Sequence, residues 1–206
     1  ALSGVQAGPE GVKTVELSIS MVQGANTYEP TLPASYLSTS TEDTAIRIMT
    51  DIATVTVPGN MLPSEAAAEA QNVSLTIAAV DRTALPADIQ AQIGNKPIVE
   101  LNLSIDGRRT AWVNEEAPVT VSLPYTPTAE ELMDPEHITV WYIDGSGNVI
   151  AVPSGRYDPV TGTVTFTTTH FSSYAVVYVK KTFTDIGSYS WAKKQIEVLA
   201  SKGIIE

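Results

Sequence analysis

The 206-residue chain contains no cysteine, which excludes disulfides, thiolate metal sites and thiol nucleophiles. It also has no apolar run near the roughly 20 residues that a membrane-spanning helix needs, so membrane insertion is not expected. Basic residues are scarce, 12 against 23 acidic ones, and the formal net charge is −11. Because nucleic acids and anionic membrane surfaces attract clustered Lys and Arg, neither is an expected partner.

Length and composition indicate a folded, exported chain. Hydrophobic residues make up 43% and charged residues 17%, which is typical of a globular protein, and 206 residues allow one large β domain or two smaller ones. The opening ALSGVQAGPEG has neither a basic n-region nor an apolar h-region, so no signal peptide is expected in it. An acidic, cysteine-free chain rich in Thr and Val fits a secreted bacterial surface protein, present as a mature or trimmed fragment.

Short stretches of alternating apolar and polar residues recur along the chain, separated by turn residues. The clearest hairpin pairs residues 98–105 with 108–113 around Asp106-Gly107, a dipeptide favoured in two-residue turns. Residues 138–143 and 148–152 predict a second hairpin, whereas 23–43 reads as a long irregular connection. About nine short strands predict an all-β fold, an antiparallel β-sandwich with short helical connections.

The pattern changes at Lys180. Residues 190–203 have a helical apolar period, with a serine cap at the start and Gly203 as the terminator. We therefore expect a β-sandwich domain over residues 1–180 and a separate segment over 181–206. Residues 1–60 either share the sandwich or form a separate small sheet.

The tail FTDIGSYSWAKKQIEVLASKGII resembles the beginning of an S-layer homology module. The matching residues are Phe183, Asp185, Trp191, Ala192, Ile196, Leu199, Gly203, Ile204 and Ile205. They cover about the first half of one repeat, and the later Thr-Arg-Ala-Glu-type motif is absent from the sequence. The resemblance implies a cell-surface protein that attaches to a cell-wall polysaccharide through several complete repeats, with this segment alone not binding. The alternative is an ordinary amphipathic helix after a β domain.

Residues 119–128 and 138–179 resemble the β-sandwich that precedes such repeats in surface proteins of Gram-positive bacteria, and are similar to the ZU5 and GAIN families. Some members of those families cut themselves at a His-Phe-Ser or similar triplet, and His170-Phe171-Ser172 stands at that place. The resemblance implies that Ser172 attacks the Phe171 carbonyl with His170 as the base, giving an ester that water hydrolyses. The alternative is structural, with His170 satisfying backbone groups and Phe171 filling the core.

Other candidate sites have simpler explanations. The run from Asp144 to Asn148 spaces oxygen ligands as calcium loops do, but it lacks the distal Glu, so a hairpin turn is favoured. His137 has no second His nearby in sequence for a metal, and a surface or capping role is expected. The adjacent pairs Glu115-Glu116 and Glu130-Glu131 are expected to be solvated. We expect no metal and no cofactor.

The aromatic residues offer one further hypothesis, a platform on which sugars stack. Its candidate members are Trp112, Tyr125, Trp141, Tyr142 and Tyr157. Neighbouring strand residues point to opposite faces, so at least one of Trp141 and Tyr142 belongs to the core. The favoured function is therefore a non-catalytic structural or spacer domain. The alternatives are a module that binds carbohydrate or another ligand, and a self-cleaving domain.

Overall fold

The computed structural model describes residues 7, 11–38, 43–63, 65 and 69–205. These residues form a mostly β structure with two sheets, few helices and one helix near the C-terminus. The chain divides into two compact units. Unit 1 comprises Ala1–Ala79, Val99–Ser122 and Thr167–Ser172, and unit 2 comprises Val80–Ile98, Leu123–Phe166 and Ser173–Glu206.

In unit 1, four neighbouring strands form part of one sheet, in the order β1 (Lys13–Ser18), β4 (Thr44–Met49), β5 (Thr54–Pro58) and β9 (Val119–Pro124). Alternate residues of β5 and β9, such as Val55 and Val121, are fully buried, because successive strand residues point to opposite faces. The β1–β4 pair is parallel, which corrects the expectation of an antiparallel sandwich at this place. Residues 19–43 separate the two strands, and this connection is longer than the roughly dozen residues that parallel pairing requires.

The other sheet of unit 1 is built on β6 (Asn72–Ala79), which pairs antiparallel with β7 (Ile98–Ile105). The predicted Asp-Gly hairpin is confirmed: β7 pairs with β8 (Arg108–Thr110), and Asp106 and Gly107 have φ of 47° and 78°. The opposite edge of β6 pairs with β2 (Thr27–Tyr28) and β3 (Thr31–Pro33). The prediction of an irregular connection over 23–43 was therefore wrong for these residues, while its positions 39–42 lie outside the described part.

Unit 2 contains the second predicted hairpin, β10 (Ile138–Ile143) with β11 (Val149–Val152). Its other strands are β12 (Arg156–Asp158), β13 (Thr163–Thr168) and β14 (Ser173–Tyr178), with β14 pairing with β10. The rings of Phe166 on β13 and Tyr174 on β14 lie 4.8 Å apart, so members of the two sheets pack face to face, as in a sandwich. The helix α1 (Ala87–Ile93) buries Ile89 and Ile93 in an apolar cluster of this unit.

The helix near the C-terminus, α2 (Ser190–Ser201), also belongs to unit 2. Its predicted stop is confirmed: Gly203 has φ of 67°, and the amides of Gly203 and Ile204 donate to the carbonyls of Ala200 and Leu199. The predicted serine cap is absent, since Tyr189 occupies the N-cap position without a side-chain hydrogen bond. No helix within the described residues is long and apolar enough to span a membrane.

The all-β, two-sheet fold class is confirmed. The described residues form fourteen strands rather than about nine, because several strands have only two to four residues and carry no readable alternation. The domain boundary at Lys180 stays a prediction, and both alternatives for residues 1–60, a shared sandwich or a separate small sheet, stay open. Within residues 1–60, the strand β5 pairs with β9. Within residues 181–206, the helix α2 is part of unit 2.

Candidate functional site

The triplet His170-Phe171-Ser172 lies between the end of β13 and the start of β14. Backbone hydrogen bonds hold it on both sides within unit 1. His170 forms an isolated antiparallel bridge with Val113. The Leu101 amide donates to the Ser172 carbonyl at 2.9 Å, and the adjacent Thr169 carbonyl accepts from the Asn114 amide at 2.8 Å. The triplet is therefore a short connection between two strands, and backbone hydrogen bonds fix it on both sides.

The backbone of His170 is satisfied locally by Thr168. The Thr168 hydroxyl donates to the His170 carbonyl at 2.8 Å and accepts from the His170 amide at 3.3 Å. Burial lowers the pKa of the His170 imidazole from its ordinary value, so the ring is neutral at pH 7. A neutral ring is the protonation state that a general base requires, and it is equally the state that a packed histidine adopts.

Phe171 packs against an indole. The rings of Phe171 and Trp112 lie 4.5 Å apart, and Trp112 is only 5% exposed. The Trp112 indole N–H donates to the Met61 carbonyl at 3.0 Å, and the Asn114 side-chain amide donates to the same oxygen at 3.1 Å. These contacts give the centre of the triplet a packing role.

Self-cleavage of the peptide between Phe171 and Ser172 requires a strained amide as well as a base. Among the described residues, Asp106 is the single non-glycine residue with positive φ, and it lies in the β7–β8 turn. The triplet thus carries no left-handed backbone strain. The assignment of His170 and Ser172 as catalytic groups stays a prediction, beside the packing role that the contacts of Phe171 supply.

The five candidate aromatic residues are engaged with the protein to different degrees. Trp112 is buried, so it presents no face to a sugar. Trp141 packs against the apolar cluster around Ile89 and Ile93. Tyr125 and Tyr157 meet edge to face at 6.3 Å, and Tyr142 is half-buried. Trp112 is therefore excluded from any aromatic platform on which a sugar could stack.

The loop that begins at Asp144 has the geometry of a hairpin turn. One carboxylate oxygen of Asp144 accepts from the amides of Ser146 and Asn148, both at 2.8 Å. The other oxygen accepts from the Asn148 side-chain amide at 2.9 Å. These hydrogen bonds lower the pKa of the Asp144 carboxyl. Within the described part of the chain, no group of three or more His, Asp or Glu residues could hold a metal ion.

His137 is buried, which corrects the expectation of a surface position. Its Nδ1 lies 3.0 Å from the Val179 carbonyl oxygen and 2.8 Å from Ser201 Oγ. Since Ser201 donates its own hydroxyl proton to the Glu197 carbonyl, Nδ1 must be the donor in both contacts. The ring thereby fastens the last turn of α2, on which Ser201 lies, to the strand region. Sequence spacing could not reveal this pair, because 64 positions separate its members.

Glu131 is also buried, contrary to the expectation of a solvated pair with Glu130. The capping box is present: Glu131 accepts from the Thr128 amide at 2.8 Å, and its own amide donates to the Thr128 hydroxyl at 3.3 Å. The same carboxylate accepts from the Tyr125 hydroxyl at 2.7 Å and pairs with Lys96 at 3.3 Å.

These contacts shift two pKa values in opposite directions. Burial pushes the pKa of Glu131 upward, but hydrogen bonds from Thr128, Tyr125 and Lys96 outweigh it, so the net shift is downward. The pKa of Tyr125 is raised, first by burial and then by the Glu131 carboxylate. Glu131 is therefore ionised at neutral pH and cannot serve as a general acid there.

No family model matches the chain. A stretch of 90 residues, 43% of the chain, is 41% identical to an amylopullulanase from Thermoanaerobacterium thermosulfurigenes. The chain is similar to a segment of that protein. The matched stretch spans only 5% of the amylopullulanase's length, so the similarity concerns one small part of a much longer polypeptide.

Proposed function

We propose that the chain is a non-catalytic structural module of a bacterial cell-surface protein, joined to the first helix of an S-layer homology repeat. The observation that carries the proposal is the attachment of α2 to unit 2. Near its start, Lys194 pairs with Glu136 at 3.0 Å and lies 3.9 Å from Asp134. Near its end, Ser201 contacts His137, and Lys202 donates to the Gly155 carbonyl.

A helix held at both ends is oriented by the β structure on which it lies. Such a connection suits a spacer that sets the position of an anchor, where a flexible linker would leave that position free. In the longer protein that the resemblance implies, complete repeats would bind a cell-wall polysaccharide and unit 2 would hold the first of them. The similarity to a segment of a long bacterial protein is compatible with this arrangement.

Sedimentation with purified Gram-positive cell walls tests the anchoring part of the proposal. We expect the 206-residue chain to stay in the supernatant, and a longer natural form that contains complete repeats to sediment with the walls. Incubation of the 206-residue chain with starch, pullulan and cell-wall glycan should release no reducing sugar. Release of sugar, or sedimentation of the 206-residue chain itself, contradicts the proposal.

The attachment of α2 can be tested with Ser201→Ala, which removes the hydrogen bond to His137 together with the hydroxyl's bond to the Glu197 carbonyl inside the helix. The contact between His137 and Val179 stays. A hydrogen bond of this kind contributes about 1 kcal/mol, so amide exchange in α2 should accelerate about fivefold. Ser188→Ala is the matched control, because Ser188 is exposed in the segment before α2. Equal exchange rates in the two variants would show that the contact does not hold the helix.

Two other functions have their own tests. A carbohydrate-binding role is the second candidate, and a specific surface for it is described below. Self-cleavage is the third: prolonged incubation of pure protein, followed by mass spectrometry, would detect fragments that end at Phe171. Ser172→Ala is its control, because it removes the attacking hydroxyl. An intact chain after incubation contradicts self-cleavage.

A further inference from the structure

Unit 1 has a groove on the sheet formed by β1, β4, β5 and β9. Its volume is about 600 Å³, which is within the range of small-ligand sites. The lining residues that carry the argument are Thr14, Arg47, Thr56, Asn60, Glu116 and Thr120. We call the groove with this lining the threonine groove.

The strand register places the groove's hydroxyl groups in a row. Arg47 of β4 pairs with Thr56 of β5, and Thr56 pairs with Thr120 of β9. Side chains that are paired across strands point to the same face, and neighbouring strands lie about 4.8 Å apart. The residues flanking Thr56, Val55 and Val57, point to the opposite face and are buried. A β-branched threonine has few rotamers, so this row is preorganised.

Asn60 adds an acceptor that needs a donor. Asn60 lines the groove, and its Oδ1 atom is buried and has no hydrogen-bond partner among the described residues. Buried amide oxygens are normally satisfied by a donor from the protein, water or a ligand. A turn of the Asn60 side chain toward the groove would let an entering hydroxyl group supply such a donor.

The charge of the groove limits the ligand class. Its charged lining residues are one cation, Arg47, and one anion, Glu116, and Arg47 also pairs with Glu16 at 3.1 Å. A surface with balanced charge does not favour a polyanion, which needs clustered Lys and Arg. Threonine hydroxyls both donate and accept hydrogen bonds, as the hydroxyls of sugars do.

From these features we infer that the threonine groove binds a neutral oligosaccharide, with Thr56 and Thr120 contacting its hydroxyls and Asn60 accepting from one of them after its side chain turns toward the groove. Small apolar side chains also line the groove, Ala45 and Pro58 among them, and can contact the C–H faces of sugar rings. This inference does not depend on the anchoring proposed above. A chain that fails to bind oligosaccharide can still be a spacer, and the reverse also holds.

The test is titration of the isotope-labelled 206-residue chain with maltohexaose and, separately, cellohexaose, followed by NMR. Saturable amide shifts should concentrate on β4, β5 and β9 for at least one of the two sugars. A sulfated polysaccharide serves as the charged probe and should shift these amides less. Absence of saturable shifts with both neutral sugars, shifts confined to other strands, or stronger binding of the sulfated probe overturns the inference.

Substitutions test whether the oligosaccharide contacts the hydroxyl groups of Thr56 and Thr120. The double change of Thr56→Val and Thr120→Val removes two hydroxyls while keeping the β-branched shape, and it should weaken binding about tenfold or more. Thr56→Ser retains a hydroxyl and should bind within about threefold of the native chain. Thr54→Val is the matched control, on the same strand and face but outside the groove lining, and it should leave affinity unchanged. Unchanged affinity in the double variant refutes the assignment.

Discussion

The buried carboxylate of Glu131 provides the sharpest test of the physical account of unit 2. Replacement by Gln keeps nearly the same shape and one side-chain oxygen that can accept from Tyr125 and Thr128. It removes the ion pair with Lys96, whose side chain is 20% exposed against 5% for Glu131. Gln also places an NH₂ group opposite the Lys96 ammonium group, in the position of the charged Glu131 oxygen.

The expected loss follows from these contacts. Breaking a fully buried ion pair costs about 3–5 kcal/mol, because one charge stays uncompensated. Lys96 can turn partly toward water, and the two hydrogen bonds to the side-chain oxygen can survive. We therefore expect Glu131→Gln to lower the free energy of unfolding by about 2 kcal/mol at pH 7. The neighbouring change Glu130→Gln, at an exposed position, should alter it by less than about 0.5 kcal/mol.

The assay is urea denaturation followed by tyrosine fluorescence, with Lys96→Met and the double variant completing a cycle. The double variant should cost less than the sum of the two single changes by about 1 kcal/mol, because the two residues interact directly. Additive costs, or equal effects of Glu131→Gln and Glu130→Gln, would refute the reasoning.

The pH dependence supplies a second check on the same variant. Because the folded-state pKa of Glu131 lies below its unfolded value, its contribution to stability is complete above the unfolded pKa, near 4.3. That contribution is lost as pH falls through the folded-state pKa. The stability gap between the native chain and Glu131→Gln should therefore be constant above about pH 5 and narrow at lower pH. A gap that stays constant in acid would contradict the assigned ionisation.

Two further predictions concern the end of α2 and the triplet. Gly203→Ala should destabilise the last turn of α2 by at least about 1–2 kcal/mol, since φ is positive there and an added Cβ would lie 2.8 Å from a neighbouring side chain. Hydrogen exchange would measure it against Gly187→Ala, where open space makes a small effect the expected control result. Phe171→Leu should lower stability by about 1 kcal/mol and change the near-UV circular dichroism of Trp112, because their ring contact is lost. An unchanged tryptophan signal would show that the two rings are not packed in solution.

The candidate sites were predicted from local sequence with mixed success. His170-Phe171-Ser172 is a contiguous triplet that the sequence shows directly, and the structure places it between β13 and β14. The capping box of Thr128 and Glu131 is also a local feature, because its partners are three positions apart. The burial of Glu131 was not readable, because Lys96 lies 35 positions away. The threonine groove could not be predicted for the same reason, since β1, β4, β5 and β9 come from distant segments of the chain.

The sequence by itself determined the features that depend on neighbouring residues: the alternation that makes β6 and β7, the Asp106-Gly107 turn and the glycine stop of α2. Steric preferences and side-chain period act over a few positions, so they can be read without a fold. Only the tertiary structure decided the parallel pairing of β1 with β4, the contact between His137 and Ser201, and the row from Arg47 to Thr120. These features depend on which distant segments pair in a sheet or pack against each other. That arrangement is set by the burial of apolar side chains throughout the core.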